Sequence, residues 1–250
     1  MRNKIIEILL DKKQLRANNF IIVDTEKILK DLLNTGFDLK YFLYSEKGEG
    51  LIEKYNIKAD TVKTKTFIIK KLSSVETDQG FVAVFEAPLN NKLDTVKEKQ
   101  LILFDKIQDP TNTGAIIRSG TAFGFYSYLF LDSVYIFNNK TIRSSAGTCF
   151  MVKYKDTDIA EIKKLKENGF KLLITDKEKG KDIRELKKYL KERFILVFGN
   201  EGEGIRNEIR EISDEKVNID YPDKKVESLN VSNAASILFY EINNILNGGK

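Results

Sequence analysis

The sequence predicts an α/β protein, and three observations carry that prediction. Short apolar runs of strand length alternate with helical stretches along most of the chain. In the second part these runs are almost continuously apolar, as in parallel strands buried on both faces. A turn-rich stretch, Ala87-Pro88-Leu89-Asn90-Asn91-Lys92, separates that part from a smaller first one. The expected organisation is a first domain over residues 1–90, a linker over 91–99 and a second domain over 100–250.

In the first domain, residues 1–13 mix Ile and Leu with Lys, Glu and Asp and predict an amphipathic helix, not a signal peptide. Residues 20–23, 41–44 and 81–85 are aromatic and β-branched and predict strands. Thr25 is placed to cap a helix over 26–33, with Gly36 near its end, and Phe67, Ile68, Ile69 and Leu72 mark another helix. In the second domain, strands are expected at 101–104, 128–131, 150–152, 171–174, 194–198 and 217–219. Helices are expected at 115–123, 158–168, 182–190, 205–212 and 231–246.

Composition excludes several chemistries. The chain has no His, so no imidazole base, no His-containing nucleophile system and no His-ligated metal can form. One Cys, Cys149, rules out an internal disulfide and a Cys-rich metal centre, and suits a reducing, cytoplasmic setting. No metal is expected. No apolar run approaches the roughly 18 residues of a membrane span. With 42 basic and 37 acidic side chains, the net charge of +5 permits a polyanionic partner without demanding one. Catalysis must therefore use carboxylates, Lys, Arg, hydroxyls, amides or a bound cofactor.

In open parallel sheets the ligand crevice lies beyond the carboxyl ends of the strands. Three expected strand ends carry small or polar loops that run into helices: after 101–104, after 194–198 and after 217–219. Gly199 and Gly204 have P-loop spacing, but Ile205-Arg206 stands where Lys-Ser/Thr is required, and Asn207 replaces the third glycine of a dinucleotide fingerprint. Glu201 and Glu203 would repel a phosphate. Singly, Asn112 reads as a turn former, Arg118 as a solvated helix residue, and Ser228 and Asn230 as caps of the last helix.

Together these segments resemble the SpoU/TrmH family of the SPOUT superfamily. The resemblance rests on three ordered motifs: Asp109-Pro110-Thr111-Asn112-Thr113-Gly114-Ala115-Ile116-Ile117-Arg118, then Val197-Phe198-Gly199-Asn200-Glu201-Gly202-Glu203-Gly204, then Ser228-Leu229-Asn230-Val231-Ser232-Asn233-Ala234. Ser144-Ser145-Ala146-Gly147-Thr148 resembles the small-residue segment between the first two. Residues 20–23 and 77–84 resemble the small α/β, ribosomal-protein-like RNA-binding domain found in many members. Asp24-Thr25 stands where many members have Glu-Gly, and Ile219 is followed by Asp220-Tyr221-Pro222 where Ile-Pro-Met is usual.

The resemblance implies an S-adenosylmethionine-dependent RNA ribose 2′-O-methyltransferase. It implies a parallel-sheet catalytic domain with a deep C-terminal trefoil knot, and a homodimer formed through that domain. Gly199, Ile219 and Leu229, with Thr175 after the fourth strand, would line the cofactor pocket. Asn112, Arg118, Glu201, Ser228 and Asn230 would serve catalysis. Arg118 would grip the RNA phosphate and orient the hydroxyl, or take its proton if desolvation and a second subunit allowed it. Asn112 would fix Arg118 or the ribose, Glu201 would hold Asn112 or Arg118, and Ser228 and Asn230 would shape the acceptor side.

Structured RNA is the expected partner, large-subunit ribosomal RNA before transfer RNA. An inactive RNA-binding module is the remaining alternative, though it would predict decay of the motifs. Lys63, Lys65, Lys70 and Lys71 form one candidate RNA patch, Lys140 and Arg143 a second. Each patch also reads as an ordinary solvated surface.

Overall fold

The computed structural model describes residues 2–73, 77–87, 93–176, 180–222, 225 and 228–248. The chain divides into two compact units, residues 1–89 with 137–142, and residues 90–136 with 143–250.

The first unit contains α1 (Arg2–Leu10), α2 (Lys12–Ala17), β1 (Phe20–Val23), α3 (Glu26–Asn34), β2 (Leu39–Tyr44), α4 (Gly50–Lys54), β3 (Asp60–Lys63), α5 (Thr66–Leu72) and β4 (Phe81–Glu86). Its sheet runs β1-β4-β2-β3, with β4 antiparallel to both neighbours and β3 parallel to β2. Successive strand residues face opposite sides. Ile22, Val82, Val84, Leu43 and Val62 pack with Ile5 and Leu9 of α1 and Ile69 and Leu72 of α5. Their alternates Ile21, Phe42, Ala83 and Phe85 are fully buried too, so both faces are covered.

Two details depart from the expected pattern here. The single helix expected over 1–13 breaks at Asp11, whose carboxylate accepts from the Lys13 and Gln14 amides and so starts α2. Strand β3 went unseen because only Val62 of its four residues is buried, which leaves an edge strand with no apolar run.

The second unit contains β5 (Gln100–Asp105), α6 (Pro110–Ala122), β6 (Ser127–Leu131), β7 (Lys153–Asp156), α8 (Ile159–Glu167), β8 (Lys171–Thr175), β9 (Lys181–Asp182), α9 (Lys187–Leu190), β10 (Phe194–Gly199), α10 (Asn207–Ile212), β11 (Glu215–Asn218) and α11 (Val231–Asn247). A short α7 (Asn139–Ser144) straddles the division between the units. The sheet order is β7-β6-β5-β10-β8-β11-β9, with every pair parallel. Strand β10 thus lies between β5 and β8, and β11 between β8 and β9, each entering between strands that precede it in the chain.

The two faces of this sheet differ. One is aliphatic: Leu101, Leu103, Leu129, Ile174, Ile195 and Val197 pack against Ile162 and Leu165 of α8 and Ile209 of α10. The other is aromatic: Phe104 meets Tyr128 and Phe130, and Phe239 of α11 meets Phe125 and Phe198. On that side α11 packs along α6 so closely that a Cβ at Gly120 would lie 2.1 Å from the Tyr128 hydroxyl and 3.1 Å from Phe239.

Three expectations are corrected in the second unit. Residues 150–152 are not a strand: Thr148–Phe150 is one 3-10 turn after Gly147, whose φ is +86°, and the strand starts at Lys153. The apolar run there marks a buried turn, while the true edge strand is polar. Residues 182–190 are not one helix. Asp182 pairs within β9, then caps a turn over Ile183–Leu186 in a reciprocal box with Glu185 before α9 begins. Of the expected linker, residues 91–92 lie outside the described residues. From there on the chain packs into the second unit: Leu93 joins the aliphatic core, and the Arg193 guanidinium donates to the Thr95, Val96 and Glu98 carbonyls.

Candidate active site

Strands β10, β8 and β11 are neighbours, and their carboxyl ends open into one cavity of about 720 Å³. That size falls within the range of small-molecule sites, roughly 300–1,000 Å³. The walls come from Thr175 and Asp176 at and just after the end of β8, residues 198–205 at and after the end of β10, residues 217–219 and Tyr221 around the end of β11, and residues 228–231 at the start of α11. All four residues expected at a cofactor, Thr175, Gly199, Ile219 and Leu229, therefore line one cavity. Glu201, Ser228 and Asn230 line it as well.

The loop after β10 closes on itself. The Asn200 amide donates to the Gly204 carbonyl at 3.0 Å, and the Gly204 amide returns the bond at 2.9 Å. Asn200 Oδ1 accepts from the Gly202 and Glu203 amides at 2.9 and 3.0 Å, and its Nδ2 donates 2.9 Å to the Lys106 carbonyl beyond β5. One side chain thus satisfies the turn and ties it to the neighbouring strand. Gly199 is required by approach: a Cβ there would lie 2.6 Å from the Gly204 carbonyl carbon and from Ile205 Cγ1. Gly204 is required by conformation, with φ +72°.

Asn112 is buried near the start of α6 and connects two walls. Its Nδ2 donates to Glu201 Oε1 at 2.7 Å, and its Oδ1 accepts from Asn230 Nδ2 at 3.1 Å. Asn230 in turn caps α11, its Oδ1 accepting from the Ser232 amide at 2.8 Å. Of the two partners open to Glu201, the structure selects Asn112. Arg118 is exposed on α6, outside the cavity lining, and no hydrogen bond or ion pair joins it to any described residue. The small-residue segment packs against α6, with Ser145 fully buried and Ser144 Oγ donating to the Pro110 carbonyl.

The lining is chemically divided. Ile219, Leu229, Ala234 and Leu238 make an apolar side, suited to a flat ring. Glu201 and Glu203 are exposed lining residues; Glu203 already pairs with Lys106 at 3.2 Å, which leaves Glu201 as the carboxylate suited to a cationic group. Asp176 is nearly buried, and its charge is met by Arg210 at 2.7 Å and Lys216 at 3.6 Å. Thr175 spends its hydroxyl on the Val197 carbonyl at 3.0 Å, so it offers the cavity its methyl and backbone.

Several residues of this region were missed in the sequence. Besides Asn200, they are the fully buried Asp105, which accepts from both the amide and the guanidinium of Arg206, and the Asp176–Arg210 pair. Only Asn200, directly after Gly199 in a Gly-rich stretch, carried a readable signal, since Asn favours side-chain-capped turns. The expected RNA patch in the first unit is not one helix face. Lys63 lies on β3 and pairs with Glu49 at 3.0 Å, while Lys65 caps α5 and Lys70 and Lys71 end it. Lys140 is exposed and Arg143 half-buried, both on α7. Among the described residues no cluster of acidic or Cys side chains could hold a metal ion, and no helix is long and apolar enough to cross a membrane.

A parallel sheet whose strand-end loops enclose a small-molecule cavity defines an α/β enzyme class, and comparison with known proteins narrows it. Residues 99–240 match the SpoU rRNA Methylase family, and the chain belongs to that family, which makes it an RNA methyltransferase. The chain is 29% identical over 240 residues to the 23S rRNA (guanosine(2553)-2′-O)-methyltransferase RlmP of Bacillus subtilis, covering 92% of this chain and 91% of that one. It is 31% identical over 229 residues to an uncharacterised tRNA/rRNA methyltransferase of Borreliella burgdorferi, covering 82% and 98%. In fold it resembles the SpoU methyltransferase AviRb of Streptomyces viridochromogenes in complex with AdoMet, with a TM-score of 0.84, 22% identity and both chains fully covered.

Proposed function

We propose that this protein transfers a methyl group from S-adenosylmethionine to a ribose 2′-hydroxyl of large-subunit ribosomal RNA. The observation that carries the reading is the convergence of Thr175, Gly199 and Ile219, from the ends of β8, β10 and β11, and of Leu229, before α11, on one cavity with an apolar wall and the Glu201 carboxylate. Ribosomal RNA is favoured over transfer RNA because the Bacillus subtilis relative, matched over nearly its whole length, is a 23S rRNA enzyme.

When bound, the cofactor supplies a methyl group already activated by a sulfonium. The protein's task is then alignment and removal of one proton. The apolar wall would hold the adenosyl part, and Glu201 would favour the cationic end. The bridge Glu201–Asn112–Asn230 keeps the loop after β10 and the start of α11 at fixed separation. Arg118 forks onto a phosphate of the incoming RNA and so orients the hydroxyl. Ser228 and Asn230 border the acceptor.

The first unit is assigned to RNA binding and the second, from Leu93 onward, to methyl transfer. A trefoil knot is part of the proposal. What supports it is the entry of β10 and β11 between earlier strands, followed by the return of α11 to residues 183–190 and α6. Homodimerisation is supported by exposed Ile237 and Tyr240 on α11, beside the helix that carries Arg118. The expected compartment is the cytoplasm.

The test is transfer of labelled methyl from cofactor to 23S-type ribosomal RNA and to transfer RNA, followed by mapping of ribose methylation in cells with and without the gene. Label in one large-subunit ribose bears out the reading. Label confined to transfer RNA, or to a base, overturns it.

A further inference from the structure

The first unit exposes an aromatic side chain that its own fold does not use. Phe67, one of the residues that mark this helix in the sequence, is 60% exposed in the first turn of α5, while Ile69 and Leu72 are buried. Leu10, at 37%, is the other large exposed hydrophobic residue of this unit among those described. Helical spacing sets Phe67 beside Lys70 and Lys71, three and four residues on. Lys65 precedes the helix as its N-cap. None of these three ammonium groups has an ion pair among the described residues, whereas nearby Lys63 pairs with Glu49 and Lys54 with Glu26. That face therefore offers one bare ring and two unmatched positive charges, with a third, Lys65, at the start of the helix.

We propose that this face of α5 binds unpaired RNA, with one unstacked base laid on the Phe67 ring and the adjoining phosphates held by Lys65, Lys70 and Lys71. The proposal rests on the reading of the protein as an RNA methyltransferase and deepens it. Lysines alone would attract any polyanion. The ring adds a distinction, because only a base outside a helix presents its π-face to a side chain. The part of the substrate held by the first unit is thus a loop, bulge or single strand and not a continuous duplex.

The chain has no Trp, so Phe67→Trp introduces a single tryptophan whose emission reports on this position. The probes are a hairpin with an unpaired loop, a single-stranded oligoribonucleotide and a blunt RNA duplex of equal length. Quenching by the first two and not by the duplex supports the proposal, as does a loss of about tenfold in hairpin affinity for Phe67→Ala. Replacing all three lysines by Gln should reduce the salt-dependence slope of single-strand binding by about 2. Unchanged emission with RNA that still binds, or equal quenching by duplex, overturns the proposal. Methyl transfer by the wild-type protein to ribosomal RNA is measured alongside. Its failure sinks the enzymatic reading, whereas transfer without quenching sinks only the role of Phe67.

Discussion

The loop after β10 and the exposed side of α6 belong to one proposed reaction and are built in opposite ways. In the loop, Asn200 alone accepts from two amides and donates to a third residue's carbonyl, and Glu201 is already held by Asn112. On α6, Arg118 meets no described partner. The difference separates two needs. A small cofactor supplies little binding energy, so its cavity must exist beforehand. An RNA brings its own phosphates, so the group that receives it can stand open until it arrives.

Each variant below attacks one side of that contrast. The largest effect is expected at Arg118. Arg118→Ala should lower kcat by about 10³-fold, in the range for loss of one positioned charged donor, while cofactor affinity measured by calorimetry stays within about twofold. A parallel loss of cofactor binding would place Arg118 on the wrong side of the comparison. Next is Gly199→Ala, where the new methyl meets the Gly204 backbone and Ile205 at 2.6 Å. The cost should be about 2–3 kcal/mol of stability with a fall of order 100-fold in cofactor affinity, read by thermal unfolding and titration.

Asn200→Ala removes three hydrogen bonds and should cost about 2 kcal/mol. Faster hydrogen exchange at the Gly202 and Glu203 amides would locate that loss in the turn. Smaller still is the coupling of Asn112 to Glu201. A double-mutant cycle with Asn112→Ala and Glu201→Gln should give about 1 kcal/mol, and a coupling near zero would mean the bridge does no work.

The smallest effect concerns Cys149, buried in the turn next to the segment that packs against α6. Burial pushes its thiol up to about 12. The folded state therefore holds this proton more tightly than the unfolded chain, whose thiol titrates near 8.5. The resulting stability is complete below about pH 8.5 and is lost as the pH rises from there toward 12. Relative to Cys149→Ala, the wild-type protein should lose stability over that interval, and its thiol should resist alkylation at neutral pH until the chain unfolds.

Legibility followed burial. Strands β5, β6, β8 and β10 were readable because nearly every residue in them is buried, which forces an unbroken apolar run. Strands β3, β7 and β9 were not, since edge strands with one neighbour and open faces carry polar residues. The apolar run at 150–152 misled for the complementary reason: Cys149 and Val152 are core residues contributed by a turn. The helix marked by Phe67, Ile68, Ile69 and Leu72 is present as α5, but only the structure shows that Phe67 turns outward.

The sequence by itself determined that the second part is a parallel sheet, that no imidazole or metal–thiolate chemistry is available, and that the strand ends carry the polar loops. Those properties are written locally, in composition and period. Only the tertiary structure decided that β10 lies between β5 and β8, and that Asn112 chooses Glu201, 89 residues away, and Asn230, 118 residues away. A hydrogen bond depends on distance in space, and no local pattern records which distant loops the strand order will bring within 3 Å.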